Sequence, residues 1–246
     1  MNFKSALKYQ LYGMRRPLIV FYIVIYSLII LIAIMRAVLD RNNVNALTSG
    51  LEMASIIFIF ITGLNSFRSP FHMFLANGVS RQTMFKSFAA AVVPVAAGMA
   101  LLDSINSKVL SSIVNYRSMY FVIYQNRYDG PLAQAFFEGL LWMFFCYIAA
   151  AMVGFFITTL YYRMSKPTKL VVSIGVPVLF LFILPYIDGI FLNSVIFRLI
   201  GTIFAKAGGF LDGFNPYISM VSNIIIYGGF GALSFLLMRK ATVKES

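Results

Sequence analysis

Residues 139–160 read GLLWMFFCYIAAAMVGFFITTL, 22 consecutive residues without Asp, Glu, Lys, Arg or His. A helix rises 1.5 Å per residue, so this stretch can cross a membrane hydrocarbon layer of about 30 Å. Further charge-poor stretches occupy 18–35, 53–67, 87–102, 170–187 and 217–238. They predict an all-α integral membrane protein with six transmembrane helices, because little chain remains for a soluble domain.

The whole chain, 1–246, is predicted to form one transmembrane domain. With flanking residues included, the spans are expected at about 18–36, 48–67, 84–102, 134–161, 169–187 and 217–238. Small residues predict the faces on which helices approach closely, and these are Gly63 in the second span and Ala150 and Gly154 in the fourth.

Two segments outside the spans carry their own patterns. In residues 1–16, apolar side chains repeat at helical spacing, at Phe3, Leu7, Leu11 and Met14. Lys4 and Lys8 lie on another face, so an N-terminal amphipathic helix is predicted in the interface, ending where Pro17 restarts the chain. Segment 188–216 is too apolar for a plain loop and too broken to span. A re-entrant pair of half-helices, dipping in from the extracytoplasmic side, is predicted there.

The positive charges predict the orientation. If both termini lie on one side, thirteen of the 20 Lys and Arg residues fall there: Lys4, Lys8, Arg15, Arg16, Arg68, Arg81, Lys86, Arg163, Lys166, Lys169, Arg239, Lys240 and Lys244. Short loops rich in Lys and Arg face the cytoplasm, so both termini are predicted to be cytoplasmic. The net charge of +12 then reflects topology and attraction to anionic membrane lipid, and no nucleic-acid partner is expected.

The inner segment 68–86 is predicted to be a compact helical corner between the second and third spans. Phe71, Phe74 and Leu75 form one face of a short helix after a proline. Asn77-Gly78 is a helix stop signal, and Ser80 can cap the next helix.

Three acidic residues lie near the predicted span ends: Glu52, Glu138 and Asp188. Each is expected to be an interfacial anchor or a helix cap, and an acidic ring at the outer mouth is the alternative. Paired carboxylates deep in the membrane, which a proton-driven pump needs, are not expected.

The sequence favours no catalytic or metal site. The single histidine, His72, and the single cysteine, Cys146, are far apart in the chain, so neither a zinc nor a thiol site is indicated. No Gly-x-x-x-x-Gly-Lys-Ser/Thr stretch occurs, so ATP is not expected to bind by that route. We therefore expect no enzyme activity and no cofactor on this chain.

The organisation resembles the permease subunit of a type II bacterial ABC exporter. The lead helix, six spans, the helical corner and the outer segment between spans five and six all match that family. The local match is Asn77-Gly78-Val79-Ser80-Arg81, followed by Phe85, since such permeases commonly carry a similar Gly-x-Ser-Arg element at this corner. The tail at 237–241 is also similar.

The resemblance implies a location and partners. The chain would lie in the bacterial cytoplasmic membrane, with a second permease copy, expected as a homodimer, and two copies of a separate ATPase subunit that binds ATP and Mg. The corner would be the coupling helix seated on the ATPase, through Phe71, Phe74, Leu75, Asn77, Gly78, Val79, Ser80 and Arg81. Phe71, Phe74 and Leu75 would be apolar anchors, and Arg81 would pair with an acidic edge of the ATPase.

The expected cargo is an amphipathic peptide, exported from the cell. The spans are rich in Phe, Tyr and Met and poor in charge, and methionine-rich surfaces can repack around varied ligands. The exporters that this chain resembles include small transporters of toxin or antimicrobial peptides, including self-made ones, in immunity or virulence. Drugs or lipid-linked cargo are the next alternative. An ion-coupled transporter or channel without ATPase, and a membrane-embedded enzyme or scaffold, are further alternatives.

Overall fold

The computed structural model describes residues 2–38, 49–113, 116–125, 132–191, 193–211 and 213–239. Helices account for nearly all of these residues: α1 Phe3–Val38, α2 Leu51–Asn65, α3 Arg68–Ala76, α4 Arg81–Ile113, α5 Met119–Ile123, α6 Leu132–Arg163, α7 Lys166–Val178, α8 Leu184–Phe191, α9 Val195–Ala207 and α10 Pro216–Arg239. A π-helical segment, Leu179–Ile183, joins α7 to α8 in one run.

Six helical runs are long and apolar enough to cross a membrane: Phe3–Met35, Leu51–Ala76, Arg81–Ile113, Ala133–Arg163, Lys166–Phe191 and Pro216–Arg239. The prediction of an all-helical, multi-pass membrane protein is confirmed in this respect. The first run departs most from its predicted range of 18–36, because it begins at Phe3, and the third exceeds its range of 84–102, because α4 continues to Ile113. Residues 1, 48, 192 and 212 of the predicted segments, and Lys240 and Lys244 of the tail, lie outside the described residues.

Helix α6 is the centre of the structure and packs against α2, α4 and α10, while α1 packs mainly on α4. The α2–α6 crossing is close because glycines face backbone there. A Cβ atom added at Gly63 would lie 2.1 Å from the Ala151 carbonyl oxygen, and one at Gly154 would lie 2.2 Å from that of Phe60. The predicted close approach at these small residues is confirmed. We call α1, α2, α4, α6 and α10 the bundle.

The separate amphipathic helix predicted for residues 1–16 is not confirmed, because α1 runs unbroken through Pro17. A stripe of covered side chains continues on both sides of the proline, from Ala6 and Met14 to Tyr22 and Ile25. This stripe extends from Ala6 to Ile29, where α1 packs mainly on α4. Tertiary packing therefore outweighs the one backbone hydrogen bond that the proline removes.

The predicted helical corner is confirmed in its local structure. Gly78 has a left-handed φ of 67°. The Val79 amide donates to the Phe74 carbonyl at 2.8 Å, and the Gly78 amide donates to the Leu75 carbonyl at 3.0 Å, which is a Schellman motif. Helix α4 then begins with Ser80 as its cap, whose Oγ accepts from the Thr83 amide at 3.1 Å. We call this end of the bundle the corner end and the opposite end the far end.

The run from α7 to α9, residues 166–207, stands apart from the bundle, and we call it the fifth-span limb. Of its described residues only Asp188 is buried. A tight turn with left-handed residues Asn193 and Ser194 leads into α9, which contacts α8 and α10. The re-entrant pair of half-helices predicted for 188–216 is not confirmed, since the described part of this segment contains the end of α8, the helix α9 and turns before α10.

Candidate functional site

Glu52 lies inside the far end of the bundle with 1% of its surface exposed. It is the second residue of α2, about 20 Å along that helix from Asn65 at the corner end. The Ser107 hydroxyl on α4 donates to its Oε1 at 2.6 Å, and the Tyr116 hydroxyl donates to its Oε2. Glu52 therefore ties the start of α2 to α4 and to the segment before α5.

Asp103 on α4 lies next to this carboxylate and is 6% exposed. The Tyr22 hydroxyl on α1 donates to its Oδ1 at 3.0 Å, and the Tyr147 hydroxyl on α6 donates to its Oδ2 at 2.6 Å. Ser107 connects the two acids, because its Oγ also lies 2.8 Å from the Asp103 carbonyl oxygen. We call Glu52, Asp103, Tyr22, Tyr116, Tyr147 and Ser107 the carboxylate cluster.

The side-chain donors hydrogen-bonded to these two acids are all hydroxyls of the described residues, not cations. Burying a carboxylate without a positive partner is costly, so such a site favours a bound proton or a small cation. Burial, and then the neighbouring Glu52 carboxylate, raise the pKa of Tyr116 well above its ordinary value, so this phenol remains a donor. A cavity of about 10 Å³ adjoins the cluster, with room for one water molecule.

Glu138 on α6 forms a second buried site at the far end, 4% exposed. The Tyr120 hydroxyl donates to its Oε2 at 2.8 Å, and the Tyr217 hydroxyl on α10 donates to its Oε1, also at 2.8 Å. The Gln134 amide donates to Oε1 at 2.9 Å. The short segment 116–120 thus links the carboxylate cluster to Glu138 through two tyrosines.

Asp188 acts as a helix cap. It is fully buried in α8, within the fifth-span limb, where its two carboxylate oxygens accept from the Ile196 and Phe197 amides at 2.8 and 2.9 Å. The cap expected of this residue is confirmed. Because its carboxylate is used within the limb, Asp188 is separate from the sites of Glu52 and Glu138.

Glu52, Glu138 and Asp188 are all covered by protein, and the acidic ring considered for the outer mouth stays a prediction. Glu52 and Asp103 are both buried and line one small cavity at the far end of the bundle. The expectation that paired carboxylates deep in the membrane are missing also stays a prediction. Sequence reasoning missed Asp103 as a functional candidate. The available signal was the helical spacing of Asp103, Ser107 and Ser111 directly after an apolar stretch.

A cavity of about 350 Å³ lies beside these sites, between α4, α5 and α6. Lys108 and Arg117 are exposed on its lining, and buried hydroxyls of Ser104 and Tyr120 also line it. Met143 contributes apolar surface. This combination suits a molecule that has both an apolar body and a negatively charged or polar group.

At the corner end, two of the predicted ATPase anchors face the wrong way. Phe71 and Phe74 are completely buried, Phe71 against Phe67 and Tyr162, and Phe74 against Tyr9. They are therefore core residues of this chain, and a partner cannot reach them. Leu75 is partly buried as well.

The exposed positions of the corner include Arg68, Ser69, His72, Ala76, Asn77, Gly78 and Ser80, while Val79 is 4% exposed. The Arg81 guanidinium donates to the Arg239 carbonyl at the end of α10, at 2.7 Å. Arg81 thus stabilises a helix C-terminus of its own chain, and the pairing predicted for it with an acidic ATPase edge is not tested.

Among the described residues, no group of three or more His, Cys, Asp or Glu side chains could hold a metal ion. No family model, no curated protein and no solved structure matches this chain.

Proposed function

We propose that this chain is the permease subunit of an ATP-driven exporter in the bacterial cytoplasmic membrane, carrying amphipathic peptides out of the cell. Both termini and the corner would be cytoplasmic. The observation that carries the proposal is the corner itself: a short helix, α3, fixed rigidly between two membrane-spanning helices and exposed on one side. It supports the resemblance to a type II ABC permease.

The buried side of the corner explains how motion would pass through it. Phe71 and Phe74 join α3 to the bundle core, and the Schellman motif and Ser80 cap fix the turn into α4. Arg81 links the start of α4 to the end of α10. A force applied to α3 would therefore move two spans together, as a coupling element requires.

The ATPase subunits, two copies that bind and hydrolyse ATP with Mg, would contact the exposed side of α3. Arg68, His72 and Asn77 replace the phenylalanines as the proposed contacts. Such a contact would be polar and partly electrostatic, which is typical of a subunit interface between two separately folded proteins.

The fifth-span limb supports the proposed second permease copy. Its run Lys166–Phe191 crosses a membrane by length, yet the bundle leaves it almost wholly uncovered. Gly175 and Gly189 lie in this run: among the described residues, an added Cβ at Gly189 would meet nothing within 4 Å, and one at Gly175 would meet a Val171 side-chain carbon at 4.0 Å. Small residues in spans favour helix–helix packing, so the limb offers a surface to another helix. A homodimer is the simplest arrangement.

The cavity beside α5 supports an amphipathic cargo, because it combines apolar surface with hydroxyls and the cations Lys108 and Arg117. A peptide with an acidic group or a free carboxylate end suits these positive charges. Drugs and lipid-linked molecules are the alternative cargoes. Competition of each class with a labelled amphipathic peptide for transport would distinguish them from a peptide cargo.

The test is co-purification of an ATPase from detergent-solubilised native membranes, followed by its ATP turnover with added amphipathic peptide. Arg68→Glu, on the exposed face of α3, is expected to lower the amount of co-purified ATPase and its peptide-stimulated ATP turnover, each at least five-fold. Lys166→Glu is the matched control, since Lys166 is also an exposed cation at the corner end but lies on α7. Equal behaviour of the two variants would contradict the proposed contact.

A second variant tests the shape of the corner rather than its charge. Gly78→Pro is expected to abolish stimulated turnover, because proline holds φ near −65° and cannot adopt the left-handed value of 67°. Membrane insertion should be unchanged, since Gly78 lies outside the bundle core. Normal stimulation in this variant would show that the corner does not couple.

The carboxylate cluster favours a second candidate, a proton-coupled transporter that needs no ATPase. Glu52 and Asp103 are buried acids without a cationic partner among the described residues, and such a pair can exchange a proton. Transport of labelled peptide into proteoliposomes, driven by an imposed pH gradient without nucleotide, would support this candidate. Its loss in Asp103→Asn, which keeps one carbonyl acceptor, would assign the cluster. Transport that strictly requires ATPase and ATP would exclude it.

A further inference from the structure

A groove of about 290 Å³ lies at the corner end, between the first part of α1, the end of α2 and the start of α3. Its lining includes both polar and apolar side chains. Thr62, Asn65 and Ser66 contribute polar atoms, whereas Met14, Phe58 and Ile61 contribute apolar surface. The groove is not part of the carboxylate cluster or of the cavity beside α5.

Aromatic pairs bound the groove at both ends. Phe21 stacks on Phe58 with ring centroids 4.3 Å apart, which closes the side nearer the far end. Tyr9 meets Phe74 edge to face at 5.3 Å, which closes the side nearer α3. From Tyr9 to Pro17 the groove extends about 12 Å along α1, the size of a phosphate, a glycerol unit and the first carbons of an acyl chain.

Gln10 is the unusual residue of this groove. It is 3% exposed, and its Nε2 has no hydrogen-bond partner among the described residues. Native proteins rarely leave a buried amide nitrogen without an acceptor, because its desolvation is not compensated. Gln10 thus marks a position at which an acceptor oxygen from outside the chain would be bound.

The polar residues across the groove do not supply this acceptor. The Thr62 hydroxyl donates to the Phe58 carbonyl at 3.0 Å, and the Ser66 hydroxyl donates to the Thr62 carbonyl at 2.6 Å. The Asn65 amide donates to the Ile61 carbonyl at 3.0 Å. Each is turned back onto α2, so space for an oxygen-bearing ligand remains between them and Gln10.

The residues that line the groove carry no charge, and the charged residues next to them in sequence are positive. Arg16 precedes the lining residue Pro17, and Arg68 precedes the lining residue Ser69, and both arginines are exposed. Helices α1 and α3 contain no acidic residue, and the one in α2, Glu52, is at the far end. A ligand with a negative headgroup is favoured beside these arginines.

We propose that the groove binds one anionic phospholipid. A lipid oxygen of the phosphate–glycerol region would accept from Gln10 Nε2, the headgroup charge would lie near Arg68 at the corner end, and acyl carbons would cover Met14, Phe58 and Ile61 toward the far end. The lipid would join α1 to α2, two helices that also meet through the Phe21–Phe58 stack. This inference does not depend on whether the chain works with an ATPase.

The test is native mass spectrometry of the full chain in detergent, with equal amounts of phosphatidylglycerol and phosphatidylcholine added as probes. The expected result is one retained phosphatidylglycerol, preferred at least five-fold over phosphatidylcholine. Gly13→Leu should reduce it at least five-fold, because Gly13 lines the groove and a Cβ there meets nothing within 4 Å. The control is Gly98→Leu, at an exposed helical glycine of α4 with equally open surroundings.

Gln10→Leu provides a second variant that leaves the groove's size nearly unchanged and removes the unpartnered amide. It should lose phosphatidylglycerol like Gly13→Leu, while Gln82→Leu, at an exposed glutamine of the same end, should retain it. Equal retention of both lipids by the unaltered chain would overturn the preference for a negative headgroup. Full retention of phosphatidylglycerol in Gly13→Leu would overturn the assignment to this groove.

Discussion

The bundle and the fifth-span limb use the same small residues with opposite results. In the bundle, Gly63 and Gly154 bring α2 and α6 so close that a single added carbon would meet backbone. In the limb, an added carbon at Gly189 would face open space, and one at Gly175 would meet the Val171 side chain of the same helix at 4.0 Å. Close packing at glycine is a main source of helix association in membranes. The bundle therefore obtains its packing within the chain, whereas the limb has a face left over for lipid or another helix.

The acids show the same contrast. Glu52, Asp103 and Glu138 each accept hydrogen bonds from two or more residues distant in the chain or in neighbouring segments, and these bonds connect the far end of the bundle. Among the described residues, the Asp188 carboxylate accepts from the start of α9, nine residues away at most. The limb is thus folded by local contacts, and its position relative to the bundle is secured by few of them.

The largest expected effect comes from filling the close crossing. Gly154→Leu would force a side chain against the Phe60 backbone, which cannot move away, and should cost about 3 kcal/mol or more of unfolding free energy. The yield of monodisperse protein in detergent and its thermal midpoint measure this loss. Gly189→Leu is the matched control, since nothing lies within 4 Å of the added carbon. Equal destabilisation by both variants would remove the distinction between bundle and limb.

A smaller loss of unfolding free energy is expected when a buried acidic residue is replaced. Asp103→Leu deprives the buried Tyr147 hydroxyl of its acceptor and leaves the Tyr22 hydroxyl to the Met99 carbonyl, 3.3 Å away, so it should cost about 2 kcal/mol in denaturation of the detergent-solubilised protein. Asp188→Leu removes only the cap of α9, so about 1 kcal/mol of local helix stability is lost. The global transition should then be unchanged. A global shift as large as that of Asp103→Leu would show that the limb is part of the cooperative core.

A substitution in the limb should report the association of two copies of the chain without changing the folding of either copy. In a Cys146→Ala background, Gly189→Cys is expected to form disulfide-linked dimers under mild oxidation in membranes, because the limb offers its uncovered face to a second copy. Val93→Cys, on an exposed position of α4, should give clearly less of this product. Comparable cross-linking at both positions would indicate random collision and would contradict a specific dimer through the limb.

Patterns among neighbouring residues predicted the features of the fold that depend on neighbouring residues, namely the helices, their stops and their caps. Charge-poor stretches located the six runs that are long and apolar enough to cross a membrane. Asn77-Gly78 and Ser80 predicted the corner, because helix stops and caps depend on neighbours in sequence. The direction in which Phe71 and Phe74 face depended on α1 and α6, so the sequence alone could not exclude an outward role. Pro17 was expected to end a helix, but packing on both sides keeps α1 continuous. Asp103 was missed because its tyrosine partners come from distant helices.

The smallest expected effect concerns alkaline pH at the contact between segment 116–120 and the bundle. Burial and the Glu52 charge raise the pKa of Tyr116, so its phenol stays protonated in the folded state at pH values where an unfolded tyrosine ionises, above about 10. The stability from this group is therefore present below pH 10 and is lost as the pH rises further, by at most about 1.4 kcal/mol per unit. Tyr116→Phe should flatten the decline in unfolding free energy above pH 10, with Tyr12→Phe, at a 63% exposed tyrosine, as the control for losing a hydroxyl. An unchanged slope in Tyr116→Phe would mean that the phenol is reached by water, and that the far end of the bundle is as open as the limb.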